Sequence, residues 1–172
     1  LPTSGADGVT VADLNGDGRP EVIFANHRSD GTFNVNSYIY WGQAGGPYGV
    51  QYSPSARTNL PGVGAIRVSV VDVNNDSQRD VVVQNYHGGF TRVFWGPLPV
   101  SGTATIYWDR NNAFGFRGLS LSDLNGDGRV DLLISQQGED SDPPTSYWRG
   151  GTSGLVYFHN GNNNAPYNAA PS

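Results

Sequence analysis

The chain lacks cysteine, which excludes disulfide bonds, thiolate metal sites and a thiol nucleophile. It also lacks methionine, so we expect it to be a processed form or a fragment of a longer product. Lysine is absent too: all ten basic residues are arginine, and the formal net charge is −5. Because phosphate binding needs clustered basic residues, this balance argues against a nucleic-acid partner. No stretch approaches the roughly 20 apolar residues of a membrane span, and no secretory signal pattern is present.

Glycine and proline are abundant, with 24 and 11 residues in a chain of 172. This composition favours short strands and tight turns over long helices. Within it, a segment of the sequence recurs three times, at residues 9–26, 68–85 and 119–136. The first aspartates of the three segments, Asp13, Asp72 and Asp123, are 59 and 51 residues apart.

Each segment predicts a strand, a loop and a second strand. In the first strand Val9 and Val11 alternate with small residues, and we expect both faces to be buried. The second strand is an uninterrupted apolar run, at residues 22–24, 81–83 and 132–134, which is typical of strands buried on both sides. A third strand is predicted at 37–42, 91–96 and 154–158, and a fourth at 56–60 and 105–108.

Four strands per repeat at this spacing predict an all-β fold: a β-propeller of four-stranded antiparallel blades, with about three blades in this chain. The repeats span approximately residues 1–59, 60–114 and 115–172 of one partial propeller. Three blades do not close an ordinary ring, since known rings have roughly four to eight. We therefore expect further blades of the same polypeptide, or self-association of copies, to complete the ring.

The loop between the first and second strands carries the pattern D-x-N-x-D-x-x-x-[DE] in all three repeats. Nine of the chain's fifteen acidic residues lie in these loops, and they repel one another unless a cation lies among them. Oxygen ligands without histidine or cysteine favour a hard cation, and the ligand number favours Ca²⁺ over Mg²⁺. The residue at loop position seven is expected to contribute its backbone carbonyl. The predicted ligands of the three Ca²⁺ sites are Asp13, Asn15, Asp17, Arg19 and Glu21; Asp72, Asn74, Asp76, Gln78 and Asp80; and Asp123, Asn125, Asp127, Arg129 and Asp131.

Two other interpretations fit these loops less well. Aspartate, asparagine and glycine also form ordinary turns, but three such loops in register between apolar strands favour the metal interpretation. An EF-hand needs a carboxylate at position twelve, where Phe24, Val83 and Ile134 stand in predicted strands.

Positions four and six are glycine in the first and third loops but Asn75 and Ser77 in the second, so we expect the second site to be the weakest.

With these motifs, the repeats resemble FG-GAP or VCBS repeats, which occur in integrin α-chain propellers and in many bacterial surface and secreted proteins. The third-strand sequence SYIYWG most resembles the corresponding strand in bacterial multi-repeat extracellular proteins. The resemblance implies a propeller of about seven blades, calcium in the loops between the first and second strands, and ligand binding on the opposite face. The Phe-Gly pair of the family is present as Phe114-Gly115 alone.

The loops of that opposite face carry aromatic, basic and polar residues suited to sugars or peptide side chains. The same residues also serve as ordinary loop residues whose rings pack under their own loops. The candidate ligand-binding residues are His27, Arg28, Asp30, Phe33, His87, Phe90, Tyr147, Trp148 and Arg149.

The sequence predicts no catalytic apparatus. Its three histidines lie in no catalytic motif, and the acidic residues outside the loops form no pair of the kind a glycosidase needs. The leading interpretation is a non-catalytic, calcium-binding extracellular module for cell adhesion, ligand binding or assembly, with a protein or glycan partner. A carbohydrate-binding lectin is the alternative, and a propeller enzyme with catalytic residues outside this chain is a distant one. Because calcium sites of the extracellular type are weak, we expect secretion or surface display.

Overall fold

The computed structural model describes residues 1–87, 90–106, 108–111, 116–136 and 154–157. These residues form β-strands and no α-helix, and none of them belongs to a helix of the length and apolarity needed to cross a membrane. In chain order the strands are β1 (Ala6–Ala12), β2 (Glu21–Asn26), β3 (Ser37–Tyr40), β4 (Gln43–Ala44), β5 (Val50–Gln51), β6 (Arg57–Leu60), β7 (Ala65–Val71), β8 (Asp80–Asn85), β9 (Phe90–Phe94), β10 (Gly102–Thr103), β11 (Trp108–Asn111), β12 (Phe116–Ser122), β13 (Asp131–Gln136) and β14 (Gly154–Tyr157).

Three successive sheets follow the three repeats. The first has the order β1-β2-β3-β6, the second β7-β8-β9-β11 and the third β12-β13-β14, and these neighbours all pair antiparallel. β10, from the second repeat, joins the first sheet in parallel with β6, while β4 and β5 form a separate hairpin. The all-β prediction is confirmed, and the sheets are those of propeller blades. Within the described residues the sheets do not close a ring.

The first strand of every sheet contains a β-bulge at the same place, which marks the repeats independently of the loops. At Gly8, in the bulge of β1, a Cβ atom would lie 2.8 Å from the backbone carbonyl oxygen of Ile66 in β7. A side chain at this position would therefore push the first and second sheets apart. The register shifts lie between Ala6 and Gly8, between Ala65 and Arg67, and between Phe116 and Gly118.

The sheets pack face to face around two apolar cores. The first core joins the first and second sheets, and the second core joins the second and third sheets. The middle strand β8 contributes to both, with Val81 and Val83 in the first core and Val82 in the second. Alternate side chains of a strand point to opposite faces, so an uninterrupted apolar run fits a strand between two sheets. The prediction of burial on both sides is confirmed for β8. It is wrong for β13, where Leu132 and Ile134 are buried but Leu133 is 37% exposed.

The first strands of the first and third repeats depart from the prediction that both faces are buried, and in β12 the exposed face carries Ser120 and Ser122. Val9 and Val11 are 60% and 58% exposed. In the second repeat, Val68 and Val70 of β7 are partly buried against the first core. The difference arises because the face of β1 that carries Val9 and Val11 packs on no other sheet among the described residues.

The third and fourth strands of the repeats can be compared with their predicted residue ranges. β3, β9 and β14 lie where the third strands were predicted, and β6 lies within the predicted 56–60. The fourth strand of the second repeat was placed too early: β11 begins at Trp108, because its pairing with β9 sets Trp108 opposite Val93. The pairs β4–β5 and β6–β10 were not predicted. Phe114-Gly115, the predicted repeat boundary beside it and residue 158 lie outside the described residues.

Candidate metal-binding loops and the opposite face

The first aspartate of each loop organises the backbone around itself. In the first loop, Asp13 accepts hydrogen bonds from the backbone N–H groups of Gly16 (2.8 Å), Asp17 (3.2 Å) and Gly18 (2.9 Å). The third loop repeats these bonds on Asp123, at 2.7, 3.1 and 2.7 Å. In the second loop Asp72 accepts the N–H groups of positions five and six, at 3.1 and 2.8 Å. Each chain segment is thus wound around one carboxylate.

Positions three and five brace each other in the same way in every loop. The side-chain oxygen of Asn15 accepts the N–H of Asp17 at 3.0 Å, and its amide nitrogen donates to the Asp17 carboxylate at 3.3 Å. Asp17 in turn accepts the backbone N–H of Arg19 at 2.8 Å and contacts the Arg19 guanidinium at 2.8 Å. The equivalent residues of the other loops are Asn74, Asp76 and Gln78, and Asn125, Asp127 and Arg129.

Positions four and six have a left-handed backbone in all three loops. In the first and third loops they are glycines, with φ between 74° and 80°, and a Cβ atom there would meet nothing within 4 Å. In the second loop Asn75 and Ser77 hold the same conformation, with φ of 59° and 69°. Positions four and six therefore have positive φ whatever residue they carry, and the second loop is strained at Ser77.

The carboxylate at position nine fastens each loop to the sheet beneath it. Glu21, Asp80 and Asp131 are fully buried. Each accepts the backbone N–H of loop position two, at 2.6, 2.8 and 2.8 Å respectively. Glu21 also accepts the N–H of Gly42 at 3.3 Å, and Asp80 that of Gly96 at 2.8 Å. Because both glycines follow the third strand of their sheet, this carboxylate ties the loop to the end of that strand.

The buried carboxylates differ from the exposed ones in their electrostatics. Burial raises the pKa of Glu21, and it raises the pKa of Asp80 to about 6. Neighbouring loop aspartates, Asp13 and Asp17 in the case of Glu21, raise it further. By contrast, hydrogen bonds from backbone N–H groups lower the pKa of Asp17 and Asp123. Negative charge is therefore concentrated above a buried carboxylate in each loop, an arrangement that a cation would stabilise.

The donor set of the loops consists of oxygens, which fits a hard cation such as calcium. In the first loop, Asp13, Asn15, Asp17 and the carbonyl of Arg19 would hold the ion. Across the part of the chain that the structure describes, no three histidine, cysteine, aspartate or glutamate side chains are grouped to hold a metal ion together. At position nine, the backbone N–H groups of Leu14 and Gly42 engage the Glu21 oxygens. The assignment of the fifteen loop residues as ligands stays a prediction.

At the opposite edge of the first two sheets, rings from both repeats form an aromatic cluster of His27, Phe33, Tyr86 and His87. The ring centroids of Phe33 and His87 are 3.4 Å apart, and those of His27 and His87 are 5.4 Å apart, with both pairs stacked. Tyr86 meets the His87 ring edge-on at 5.0 Å. The structure thus brings together three of the residues predicted to bind a ligand, and the rings pack against one another.

The remaining predicted ligand residues are distributed around this cluster or lie beyond the description. The Arg28 guanidinium lies 5.4 Å from the centroid of the Phe33 ring. Asp30 is exposed and lies in a turn, with φ of 48°. Phe90 is the first residue of β9. The side chain of Phe90 and the whole of Tyr147, Trp148 and Arg149 lie outside the described part of the chain.

Sequence reasoning missed three residues that complete the aromatic cluster: Asp7, Gly64 and Tyr86. The carboxylate of Asp7 lies 3.2 Å from Nδ1 of His27. Gly64, with φ of 62°, donates its N–H to the carbonyl of Phe33 at 2.7 Å and accepts the N–H of Tyr86 at 2.8 Å. The glycine-rich turn at residues 61–64 is the one sequence feature near these residues that stands out. Residues of different repeats that contact one another leave no periodic pattern in the sequence.

Grooves between the repeats are found among the described residues. The first strands of the three sheets line a groove of 430 Å³, with Thr10, Ser69 and Ser120 among its polar residues. The second groove, of 180 Å³, separates the first candidate metal-binding loop from the second. Its lining residues are Asp13, Leu14, Asn15 and Gly16 on one side and Ser77, Gln78 and Arg79 on the other.

The repeats match a known protein-family model. The model of the FG-GAP-like repeat matches residues 13–83. This range begins at the first aspartate of the first loop and ends within β8, so it spans the first two loops and the strands β2 to β7. Comparison with curated proteins gives no match.

Proposed function

The chain is an FG-GAP-like repeat protein over residues 13–83, and from this premise we propose that it is a calcium-binding extracellular β-propeller module for adhesion or ligand binding, without catalytic activity. The proposal rests above all on the recurrence of one loop architecture in three repeats. In each loop, backbone N–H groups order the aspartates at positions one and five, and a third carboxylate is buried below them. Three unrelated turns would not share these hydrogen bonds.

Calcium would act on these loops as a counter-charge. When bound, it supplies two positive charges to a segment that otherwise gathers carboxylates around a buried acid. In the first loop, Asp13 and Asp17 bring charge, Asn15 brings a neutral oxygen, and Glu21 fixes the loop to the sheet. Since the loop geometry exists only in the folded chain, binding would stabilise the fold.

A calcium titration followed by isothermal calorimetry tests this proposal. We expect three sites for calcium, each removed by one of three variants: Asp13→Ala, Asp72→Ala and Asp123→Ala. The second site is expected to be the weakest because Asn75 and Ser77 hold a left-handed backbone at a cost. Asp7→Ala, an acidic residue outside the loops, is the matched control and should leave all sites intact. Failure of the wild-type chain to bind calcium would refute the proposal.

The ligand of the module is expected on the face opposite the loops, and we propose that it is a protein or a glycan. The aromatic cluster, with the Arg28 guanidinium beside Phe33, supports this surface. A lectin is the second candidate and would use aromatic rings against sugars. A glycan array separates the two, because a lectin gives specific signals that Phe33→Ala reduces, whereas an adhesion module for proteins gives none.

An extracellular location follows from the same proposal. Oxygen sites of the extracellular type have dissociation constants of about 10⁻⁴–10⁻³ M and stay empty at cytosolic calcium concentrations. Fractionation of the source cells should find the protein in the secreted or surface fraction. Recovery from the cytosol alone would contradict this part of the proposal.

A further inference from the structure

A side chain of the second loop reaches the third loop. Asn75 takes position four, where the first and third loops have Gly16 and Gly126. Its side-chain Nδ2 donates a hydrogen bond to the backbone carbonyl oxygen of Gly128 at 3.0 Å. Since glycine carries no side chain, the first loop has no such donor at this position. The structure thus joins two of the proposed calcium loops directly.

The bond is made to a peptide unit that lies beside proposed ligands of the third loop. The carbonyl of Gly128 and the N–H of Arg129 belong to one peptide unit. Asn75 holds this unit by its oxygen, and Asp127 holds it by its N–H at 2.9 Å. Asp127 and the carbonyl of Arg129 are both proposed ligands. Asn75 therefore fixes a peptide unit that lies between two groups facing the proposed ion.

The first and second loops show the contrasting arrangement. The 180 Å³ groove lies between them, lined by Gly16 on one side and Ser77 on the other. Among the described residues, Asn75 is the one side chain of the first two loops that forms a hydrogen bond with another loop. A change in the first loop consequently has no equivalent contact through which to reach the second.

We propose that the second and third calcium sites are energetically coupled through Asn75, while the first site binds independently. This inference rests on the proposed calcium function. An ion in the third loop orders the peptide after Gly128, which gives the Asn75 amide a fixed acceptor. The fixed side chain in turn holds position four of the second loop in its left-handed conformation. Coupling of this kind is reciprocal, so each of the two sites strengthens the other.

One neutral hydrogen bond sets the size of the effect. Such a bond is equivalent to roughly a two- to tenfold change in a binding constant. The affinity of the second site should therefore fall by about this factor when the third site is removed. Removal of the first site should leave it unchanged.

A double-mutant cycle on the full chain measures the coupling. Calcium is titrated by NMR, with the backbone amides of Gly18, Ser77 and Gly128 as reporters of the first, second and third sites. Asp123→Ala removes the third site, and we expect it to weaken the second site in the wild-type background but not in an Asn75→Gly background. The Asn75→Gly substitution introduces the residue that the other two loops carry here, so the loop itself is preserved.

The controls separate this inference from the calcium proposal. Asp13→Ala removes the first site and should leave the second unchanged in both backgrounds. If Asp123→Ala does not fold, Asp127→Asn weakens the third site with little change in side-chain size and serves in its place. Three filled sites whose coupling does not depend on Asn75 would overturn the inference alone. A wild-type chain that binds no calcium would overturn both.

Discussion

Ser77 holds a backbone conformation that glycine holds in the other two loops. Its φ of 69° places it in the left-handed region, which costs a residue with a Cβ roughly 1–2 kcal/mol. Glycine removes this strain but loses more entropy on folding, by roughly 0.5–1 kcal/mol. We therefore expect Ser77→Gly to stabilise the protein by about 0.5–1 kcal/mol. Urea unfolding monitored by tryptophan fluorescence measures the difference.

The reverse substitution at Gly18 provides the matched control. Gly18 occupies the same loop position with φ of 80°, and a Cβ there meets nothing within 4 Å, so backbone strain is the main effect of Gly18→Ser. This variant should lose about as much stability as Ser77→Gly gains. Equal stability of both variants and the wild type would mean that backbone strain has no measurable role in the loops.

The carboxylate of Asp80 has a structural role that is distinct from metal binding. It is fully buried and accepts the N–H groups of Val73 and Gly96. Asp80→Ala leaves two buried donors unpaired, at about 1–3 kcal/mol each, although it also removes a buried charge. We expect a net loss of about 2 kcal/mol, measured by thermal unfolding in excess chelator so that metal binding does not contribute. Asp76→Ala, at an exposed position in the same loop, should cost much less; equal losses would contradict the role given to Asp80.

At this scale the sequence predicts which residue types share a loop but not how their side chains pair. Positive φ at positions four and six follows from Gly16 and Gly18, since glycine is the residue that adopts it most readily. The second partner of Glu21 is Gly42, which lies 21 residues away along the chain. That contact depends on how β2 and β3 pair, and no local pattern specifies it.

At the scale of the elements, the candidate metal-binding loops connect the first and second strands of each of the three repeat sheets. If calcium binds only the folded chain, each site adds roughly 2.7 kcal/mol of stability at a hundredfold excess over its dissociation constant. Addition of a chelator should therefore lower the melting temperature markedly, and added calcium should restore it. Calorimetric scans with and without chelator measure this change, and magnesium in place of calcium is the control. An unchanged melting temperature after verified metal removal would count against all three sites.

The strands show where periodicity is informative and where it is not. The apolar run 81–83 predicts burial on both faces, and the stacked cores confirm it. Val9 and Val11 have the same alternation as their counterparts in β7, yet they are exposed, because burial depends on a neighbouring sheet. β11 begins at Trp108 because the antiparallel partner β9 selects the register. Such tertiary pairing overrides local preference.

For the molecule as a whole, the open face of the first sheet carries the largest consequence. Val9 and Val11 present apolar surface where β7 and β12 pack against a preceding sheet. We expect the isolated chain to self-associate through this face, unless further blades of the same polypeptide cover it. Light scattering across a concentration series measures the association.

A pair of threonine substitutions tests the role of this face. Val9→Thr with Val11→Thr keeps the strand propensity and the side-chain shape while adding two hydroxyl groups, and should shift the chain toward the monomer. Val100→Thr makes the same change at a residue that is 55% exposed and lies outside the sheet, so it should have no effect. A wild-type chain that stays monomeric at all concentrations would rule out the association.

The parallel strand β10 joins the first and second repeats mechanically. Gly102 and Thr103 belong to the second repeat, yet they pair with Thr58 and Asn59 at the edge of the first sheet. The N–H of Ala104 adds a bond to the carbonyl of Asn59 at 2.9 Å. A cut placed between the first two repeats would strip this edge and leave its backbone groups without protein partners. Under a stretching force, the first two repeats share the load across this junction and should yield in one rupture event instead of two.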